Sequence, residues 1–476
     1  MTAALLDAPV RRVSLGFLRE RGMGASVLVA ALSSAFGVVL LAATGYIGFL
    51  AESTLAGDSV ALYVGILTIL LIAIAMYVGA IVTANTFSTI VAGRTRRIAL
   101  MRLIGATARS ERTRVANQGL VVGLIGAAIG SAIGVALAFA GTAIAGNVLD
   151  APGYGAVLQP SMIAPFVAVV LTTWAAAWAG SRRVLTVTPS QALGGSVERS
   201  REEVTRRSAR GGFAIVFALL GVLLLTGGLI AGLFTPLAIM IGFVGGLLSF
   251  TALVMGSTAV MPPVLRLVGR MFGGSATSRM AAENALRYPE RSSRMAIGVV
   301  VGVTLVTMFA VASESAQTVI FEGLTPQQIS EYGYDVFFDT FTGVMMGLVA
   351  ISAVIAAVGL VNLLTIGVVQ RRTELGLLRA LGLSSGQIRR MVLLEAAHIT
   401  IAATALGLLL GIAYGWVGAQ SLLGSVPSGG ILVAPAVPWE PVLIVVASMA
   451  ILTLLAAVAP TRLATRVSPV EALAVA

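Results

Sequence analysis

One segment of this chain is written twice. Residues 94–136 read RTRRIALMRLIGATARSERTRVANQGLVVGLIGAAIGSAIGVA, and residues 371–413, 277 positions later, read RRTELGLLRALGLSSGQIRRMVLLEAAHITIAATALGLLLGIA. Arg94 and Arg371, Leu100 and Leu377, Arg102 and Arg379, Gly105 and Gly382, and Arg112 and Arg389 coincide, as do Gly130 and Gly407 and Gly134 and Gly411. Each copy passes from a hydrophobic stretch, through an arginine-rich helix and a glycine break, into a glycine-spaced hydrophobic stretch. A long-period repeat constrains the fold before any local pattern does, because both copies must adopt one architecture. Duplicated membrane spans around a basic connector are a transporter's organisation, and the connector is the place where a partner on that side can push.

The hydrophobic stretches decide the class. The chain is 58% hydrophobic and 11% charged, whereas about a quarter of the residues of a soluble domain are charged. Long charge-free runs recur throughout, so an all-α polytopic membrane protein is expected. A membrane β-barrel would need alternating rather than continuous apolar residues. There is no cysteine, so neither disulfides nor thiol chemistry are available. All 31 basic residues are arginine.

Ten spans are expected, at about 24–50, 62–90, 116–147, 161–181, 212–233, 236–261, 294–313, 343–369, 392–423 and 440–460. The sixth is expected to end at Pro262–Pro263. With the N-terminus in the cytoplasm, the outer loops 51–61, 148–160, 234–235, 314–342 and 424–439 contain no arginine. They do contain Glu52, Asp58, Asp150, Glu314, Glu322, Glu331, Asp335 and Asp339. This is the positive-inside pattern of a cell-membrane protein with both termini cytoplasmic. The net charge of +11 then faces anionic lipid, not nucleic acid. The expected plan is an amphipathic N-terminal helix (1–23), a four-span unit (24–193), a linker (194–211), a two-span hairpin (212–263), an amphipathic segment (264–293) and a second four-span unit (294–476). Both connectors lie on one side, so the repeat is parallel rather than inverted.

In the second connector, Leu375, Leu378 and Leu381 share a helical face. Gly382 supplies a stop, and Ser384 with Gln387 has capping-box spacing. The first copy runs from Arg97 to Gly105 and restarts near Thr107. Each is a helix–turn–helix elbow with a basic face, fit either to lie on headgroups or to dock a partner. Gly126, Gly130, Gly134, Gly407 and Gly411 place small residues every fourth position, the spacing of close helix packing. Glu395 and His398 lie one turn apart and suit helix packing better than proton coupling, which needs an ionisable site near the midplane. Loop 314–342 carries Phe321, Tyr332, Tyr334, Phe337 and Phe338, either as an interfacial anchor or as a contact surface for an amphipathic or cationic molecule. The sequence offers no catalytic or metal-ligating set.

The string QRRTELGLLRALGLSSGQIRRMVLLEA (370–396) resembles the signature of FtsX-like and MacB-like permeases, the type VII ABC transporter membrane subunits. Arg371, Arg372, Glu374, Leu377, Arg379, Ala380, Leu381, Gly382 and Glu395 match that signature. A tail motif after the fourth span matches at Ser468-Pro469-Val470-Glu471-Ala472-Leu473 and is echoed at Thr188-Pro189-Ser190-Gln191-Ala192-Leu193. Asn284, Arg287, Arg291 and Arg294 resemble the helix that leads into a unit. The first copy departs from the pattern, with Arg97 in place of Glu374 and Gln118 in place of Glu395.

The resemblance implies that the connectors are coupling helices. Arg97, Met101, Arg102 and Gly105 would act in one half, and Arg371, Arg372, Glu374, Leu378, Arg379 and Gly382 in the other. The chain has no GxxxxGK[ST] phosphate loop, and without lysine it can have none. Hydrolysis, with its ATP and Mg, is therefore expected in a separate ABC ATPase homodimer. The expected output is extrusion or extraction of a lipid, lipopeptide, antimicrobial peptide or drug. The alternative is mechanotransmission to an extracytoplasmic cell-wall hydrolase or a sensor kinase. Permeases of the antimicrobial-peptide-resistance type, which share a ten-span plan, carry a large outer domain between the seventh and eighth spans, where this chain has only loop 314–342.

Overall fold

The computed structural model describes residues 23–54, scattered positions between 66 and 84, 95–148, 158–182, 208–271, 276–331 except 288 and 323, 377–426 and 430–465. Among these residues the fold is helical and contains no strand. The helices are α1 (Met23–Thr54), α2 (Thr95–Leu103), α3 (Ala108–Val148), α4 (Ile163–Gly180), α5 (Ser208–Ala231) and α6 (Ala238–Gly269). They continue with α7 (Ala276–Arg287), α8 (Pro289–Ile320), α9 (Pro326–Glu331), α10 (Ser385–Leu423) and α11 (Trp439–Thr465).

Among the described residues, seven stretches are long and apolar enough to cross a membrane: Ser26–Ala43, Ala108–Ile144, Pro160–Gly180, Gly211–Ala231, Ala238–Gly269, Ser292–Ile320 and Ser385–Leu423. Each coincides with an expected span. The tenth span lies in α11, and the second is represented by helical residues between 66 and 84. The eighth, 343–369, lies outside the described residues. Two boundaries differ from expectation. Pro262 and Pro263 sit inside α6, which continues to Gly269, because Met261, Leu265 and Val268 bury their side chains in the core and hold the last turns in place. Helix α8 outruns its expected end and absorbs Glu314 through Ile320 from the outer loop.

The two halves are built on the same seam. In the first, α3 lies along α1. A Cβ on Gly126 would meet Ala30 and Val27, one on Gly130 would meet Ala31 and Ser34, and one on Gly134 would meet Val38 and Ala35. In the second, Gly407 meets Val303 and Val300, Gly411 meets Thr307 and Thr304, and Gly415 meets Met308 and Val311. Both partners ascend together along each seam, so α1 with α3, and α8 with α10, are parallel pairs. Without side chains on one partner the backbones approach closely, and dispersion between them replaces the hydrophobic drive that lipid does not supply. The first seam adds a polar stitch: the Ser34 hydroxyl donates to the Ala127 carbonyl at 3.1 Å and lies 2.9 Å from the Ser131 hydroxyl.

The hairpin of α5 and α6 closes on its own glycines, Gly221 against Ser249 and Gly228 against Gly242. It is fused to the second half. Phe250, Met261, Leu265 and Val268 share one core with Met295, Val299 and Val303 of α8 and Ala396, Ile399 and Ala403 of α10. Tyr77, from the second span, reaches this core as well. Its hydroxyl donates to the Leu247 carbonyl at 3.2 Å and lies 2.7 Å from the Thr251 hydroxyl.

Candidate functional site

The elbows are two copies of one hydrogen-bond pattern. In the first, Ile104 N–H donates to the Leu100 carbonyl, Gly105 to Arg102 and Ala106 to Met101, at 3.2, 3.2 and 2.9 Å. In the second, Leu381 donates to Leu377, Gly382 to Arg379 and Leu383 to Leu378, at 2.9, 3.0 and 3.1 Å. Every donor and acceptor is displaced by the 277-residue repeat. This is the Schellman stop, which satisfies the last carbonyls of a helix by turning one residue left-handed. That residue is Gly105 at φ +102° and Gly382 at φ +98°. The next helix starts at once. The Ser384 hydroxyl accepts from Gln387 N–H at 3.2 Å, while the Gln387 side chain accepts from Ser384 N–H at 2.8 Å. In the first copy the Thr107 hydroxyl accepts from Ser110 N–H at 3.1 Å.

Each elbow is pinned from behind and apolar in front. Behind the first lie Met23, Ile98, Ala99, Val115, Val122 and Ala177. Behind the second, Ala281 of α7 packs with Ile388, Met391 and Val392, joined by Met280, Leu378 and Leu383. At the front, Leu100, Leu103 and Ile104 are exposed in one copy and Leu377 and Leu381 in the other. Ile104 and Leu381 hold the same place in the repeat and are 78% and 71% exposed. A large aliphatic side chain gains about 1.5–3 kcal/mol on being covered, so both tips would gain from a cover.

Two segments, 69–189 and 346–469, match the family model for the FtsX-like permease C-terminal domain. Their starts are 277 residues apart, the spacing of the repeat, and together they cover just over half of the chain. The chain belongs to the FtsX-like permease family. It is also similar to the ABC transporter permease YtrF of Bacillus subtilis (strain 168), with 34% identity over 84 residues, 17% of this chain and 19% of that protein. The matched part thus spans about a fifth of that relative's length. Family membership and the long apolar helices make this chain a permease of the multi-pass membrane type.

The permease places its sequence-predicted elbow residues as follows. Arg97 lies in α2. Met101, Arg102, Leu378 and Arg379 are half-buried. Leu378 packs inward against the cluster of Ala281, Ile388, Met391 and Val392 while Leu381 is exposed, so these two leucines do not share one face, and Leu375 lies outside the described residues. The elbow tips are aliphatic rather than purely basic, because the Schellman turn lifts Ile104 and Leu381 clear of the bundle. Arg371, Arg372 and Glu374 lie outside the described residues. Gly126, Gly130, Gly134, Gly407 and Gly411 are all buried in the seams.

Phe321 follows α8, and α9 begins with Thr325 and Gln328 capping each other. Tyr332, Tyr334, Phe337 and Phe338 lie outside the described residues. Glu395 and His398 are buried. His398 Nε2 lies 2.8 Å from the Leu265 carbonyl and ties α10 to α6.

Sequence reasoning missed the outer clamp. Gln420, fully buried, donates from its amide to the Ile431 carbonyl at 3.0 Å and accepts from Val433 N–H at 2.6 Å. Trp416 Nε1 donates to the Val433 carbonyl at 2.7 Å, and the Ser315 hydroxyl accepts from Ala436 N–H at 3.1 Å. The extended strap of residues 430–438 is thus fastened across the outer ends of α8 and α10. The only trace in the sequence is a glutamine in an otherwise apolar run. The first half has Ala143 and Phe139 where the second has Gln420 and Trp416.

Proposed function

We propose that the two elbows seat an ABC ATPase homodimer on the cytoplasmic side of the cell membrane, one subunit under each half. Closure of that dimer, driven by ATP and Mg bound within it, then moves α3 and α10 to extrude or extract a hydrophobic or amphipathic molecule. The observation that carries this reading is the pairing of two elbows with the same hydrogen-bond pattern and the same exposed aliphatic tip. Helices α3 and α10, at 41 and 39 residues, are about 60 Å long and continue from those elbows through the bundle. A push on an elbow is therefore a push on a rigid rod. The uncharged spans suit a lateral route for lipid, lipopeptide, peptide antibiotic or drug better than an aqueous pore. The arginine distribution supports cytoplasmic termini.

The test is co-purification of the chain with its cognate ABC ATPase after Ile104→Asp and Leu381→Asp are introduced singly and together. Each single change is expected to weaken the complex, and the pair to release the ATPase from a permease that still elutes as a folded species. Full retention of the ATPase by the doubly substituted protein would overturn the docking role. ATP-dependent efflux of a fluorescent lipid or peptide from proteoliposomes then checks the output. Turnover without movement would support signalling to an extracytoplasmic partner instead.

A further inference from the structure

At the elbow end of α4, two guanidinium groups converge on one indole. The Arg112 guanidinium carbon stands 3.7 Å from the centre of the Trp178 ring, and that of Arg182 stands 5.8 Å from it. Arg112 also donates to the Trp178 carbonyl at 3.2 Å. That contact places positive charge on the last turn of α4, where the helix carbonyls favour it. Arg182 has no such role, since its contact is the ring alone. Neither guanidinium forms an ion pair with a carboxylate among the described residues; the nearby Glu111 carboxylate faces Arg114 at 3.8 Å. The Arg112 Nε is buried without a partner. Two cations on one aromatic ring repel each other, and a shared anion would offset that repulsion.

The surface beside this pair has the shape of a lipid chain. Val167, Leu171, Trp174 and Trp178 are exposed along one side of α4. The helix has 18 residues and is therefore about 27 Å long, close to the thickness of the hydrocarbon core. Trp178, in the last turn, thus lies at the interface, where tryptophan is favoured. The apolar column leads from the membrane interior directly to the two arginines at headgroup depth. In sequence the corresponding turn of α11 carries Leu455, Ala456, Ala457 and Val458, without a tryptophan.

We propose that Arg112, Trp178 and Arg182 form a binding site for one anionic phospholipid in the leaflet on the elbow side. The phosphate lies between the guanidinium groups and an acyl chain lies along α4. The site fastens the base of α3, and through it the first elbow, to the membrane surface. The second elbow is instead braced by α7.

The experiment uses the full chain with Trp416→Phe and Trp439→Phe, which leaves Trp174 and Trp178 as the fluorophores, in bilayers doped with brominated phosphatidylglycerol or brominated phosphatidylcholine. Quenching by the anionic lipid is expected to show an affinity preference of about tenfold or more over the zwitterionic one. Each of Arg112→Gln and Arg182→Gln is expected to cut that preference about fivefold, with the thermal transition unchanged for the exposed Arg182. Trp178→Leu, which keeps an apolar side chain and removes the ring, is expected to remove the lipid retained in native mass spectrometry. Equal quenching by the two lipids, or a preference that survives both glutamine changes, would overturn the site. Competition by millimolar inorganic phosphate would assign the pair to a free anion instead. Displacement of the lipid by the bound ATPase would assign it to the protein interface.

Discussion

Gly411 and Thr307 touch so closely that a Cβ added to the glycine would lie 2.5 Å from the Thr307 Cβ. The parallel seam of α8 and α10 therefore has no room for a side chain at this level. Gly411→Ala is expected to cost about 1–3 kcal/mol, the usual range for overpacking. Gly418→Ala, on the same helix with nothing within 4 Å, is expected to be neutral or to gain up to about 1 kcal/mol from helix propensity. Thermal unfolding of the two variants in detergent separates the seam from a general intolerance of α10.

Gly105 and Gly382 are needed for a different reason. No atom lies within 4 Å of a Cβ at either position, but both have positive φ. The cost of alanine is therefore conformational, about 1–2 kcal/mol, and asparagine should recover part of it. The readout is stability together with retention of the ATPase. Gly105→Ala and Gly382→Ala should weaken retention to similar degrees, because the two stops share one geometry.

The capping box at Ser384 makes the restart of the second elbow firmer than that of the first. Ser384→Ala is expected to cost about 1 kcal/mol and to speed hydrogen exchange at the Gln387 amide, which that hydroxyl accepts. Thr107→Ala should do the same to the Ser110 amide.

Gln420→Leu keeps the volume of the side chain and removes both of its bonds to the strap. The Ile431 carbonyl and the Val433 amide lose their partners, at about 1–3 kcal/mol for each group left buried. Fast exchange of the Val433 amide, with the exchange of α10 core amides unchanged, is the expected result. Unchanged protection of Val433 would mean that Trp416 and Ser315 hold the strap without Gln420.

The glycine seam and the elbows were legible in the sequence because both depend on a residue type that nothing else replaces. Gly382 needs a left-handed backbone, and Gly411 needs the absence of a side chain. The other side of each seam was not legible. Val27, Ala31, Ala35 and Val38 in α1 occupy the places of Ala296, Val300, Thr304 and Thr307 in α8. These pairs share almost no identity, since any small or β-branched residue can lie against a bare helix backbone. Their spacing of 269 residues also departs from the 277 of the elbows, so a search at one period passes over them. The facing of Leu378 and Leu381 was misread because the Schellman turn, rather than the helical wheel, sets the direction of the last side chain. Pro262 and Pro263 read as an end because local propensity ignores the burial of Leu265 and Val268 beyond them.

Across the repeat Gln420 corresponds to Ala143, so the amide that laces the strap has no counterpart in the first half and the halves are not interchangeable parts. A chain assembled from two first halves would keep both knuckles at its base and lose this amide from both rims. One assembled from two second halves would lace both. The ancestral duplication has become a division of labour written in a single amide, with Gln420 present on one side and Ala143 on the other.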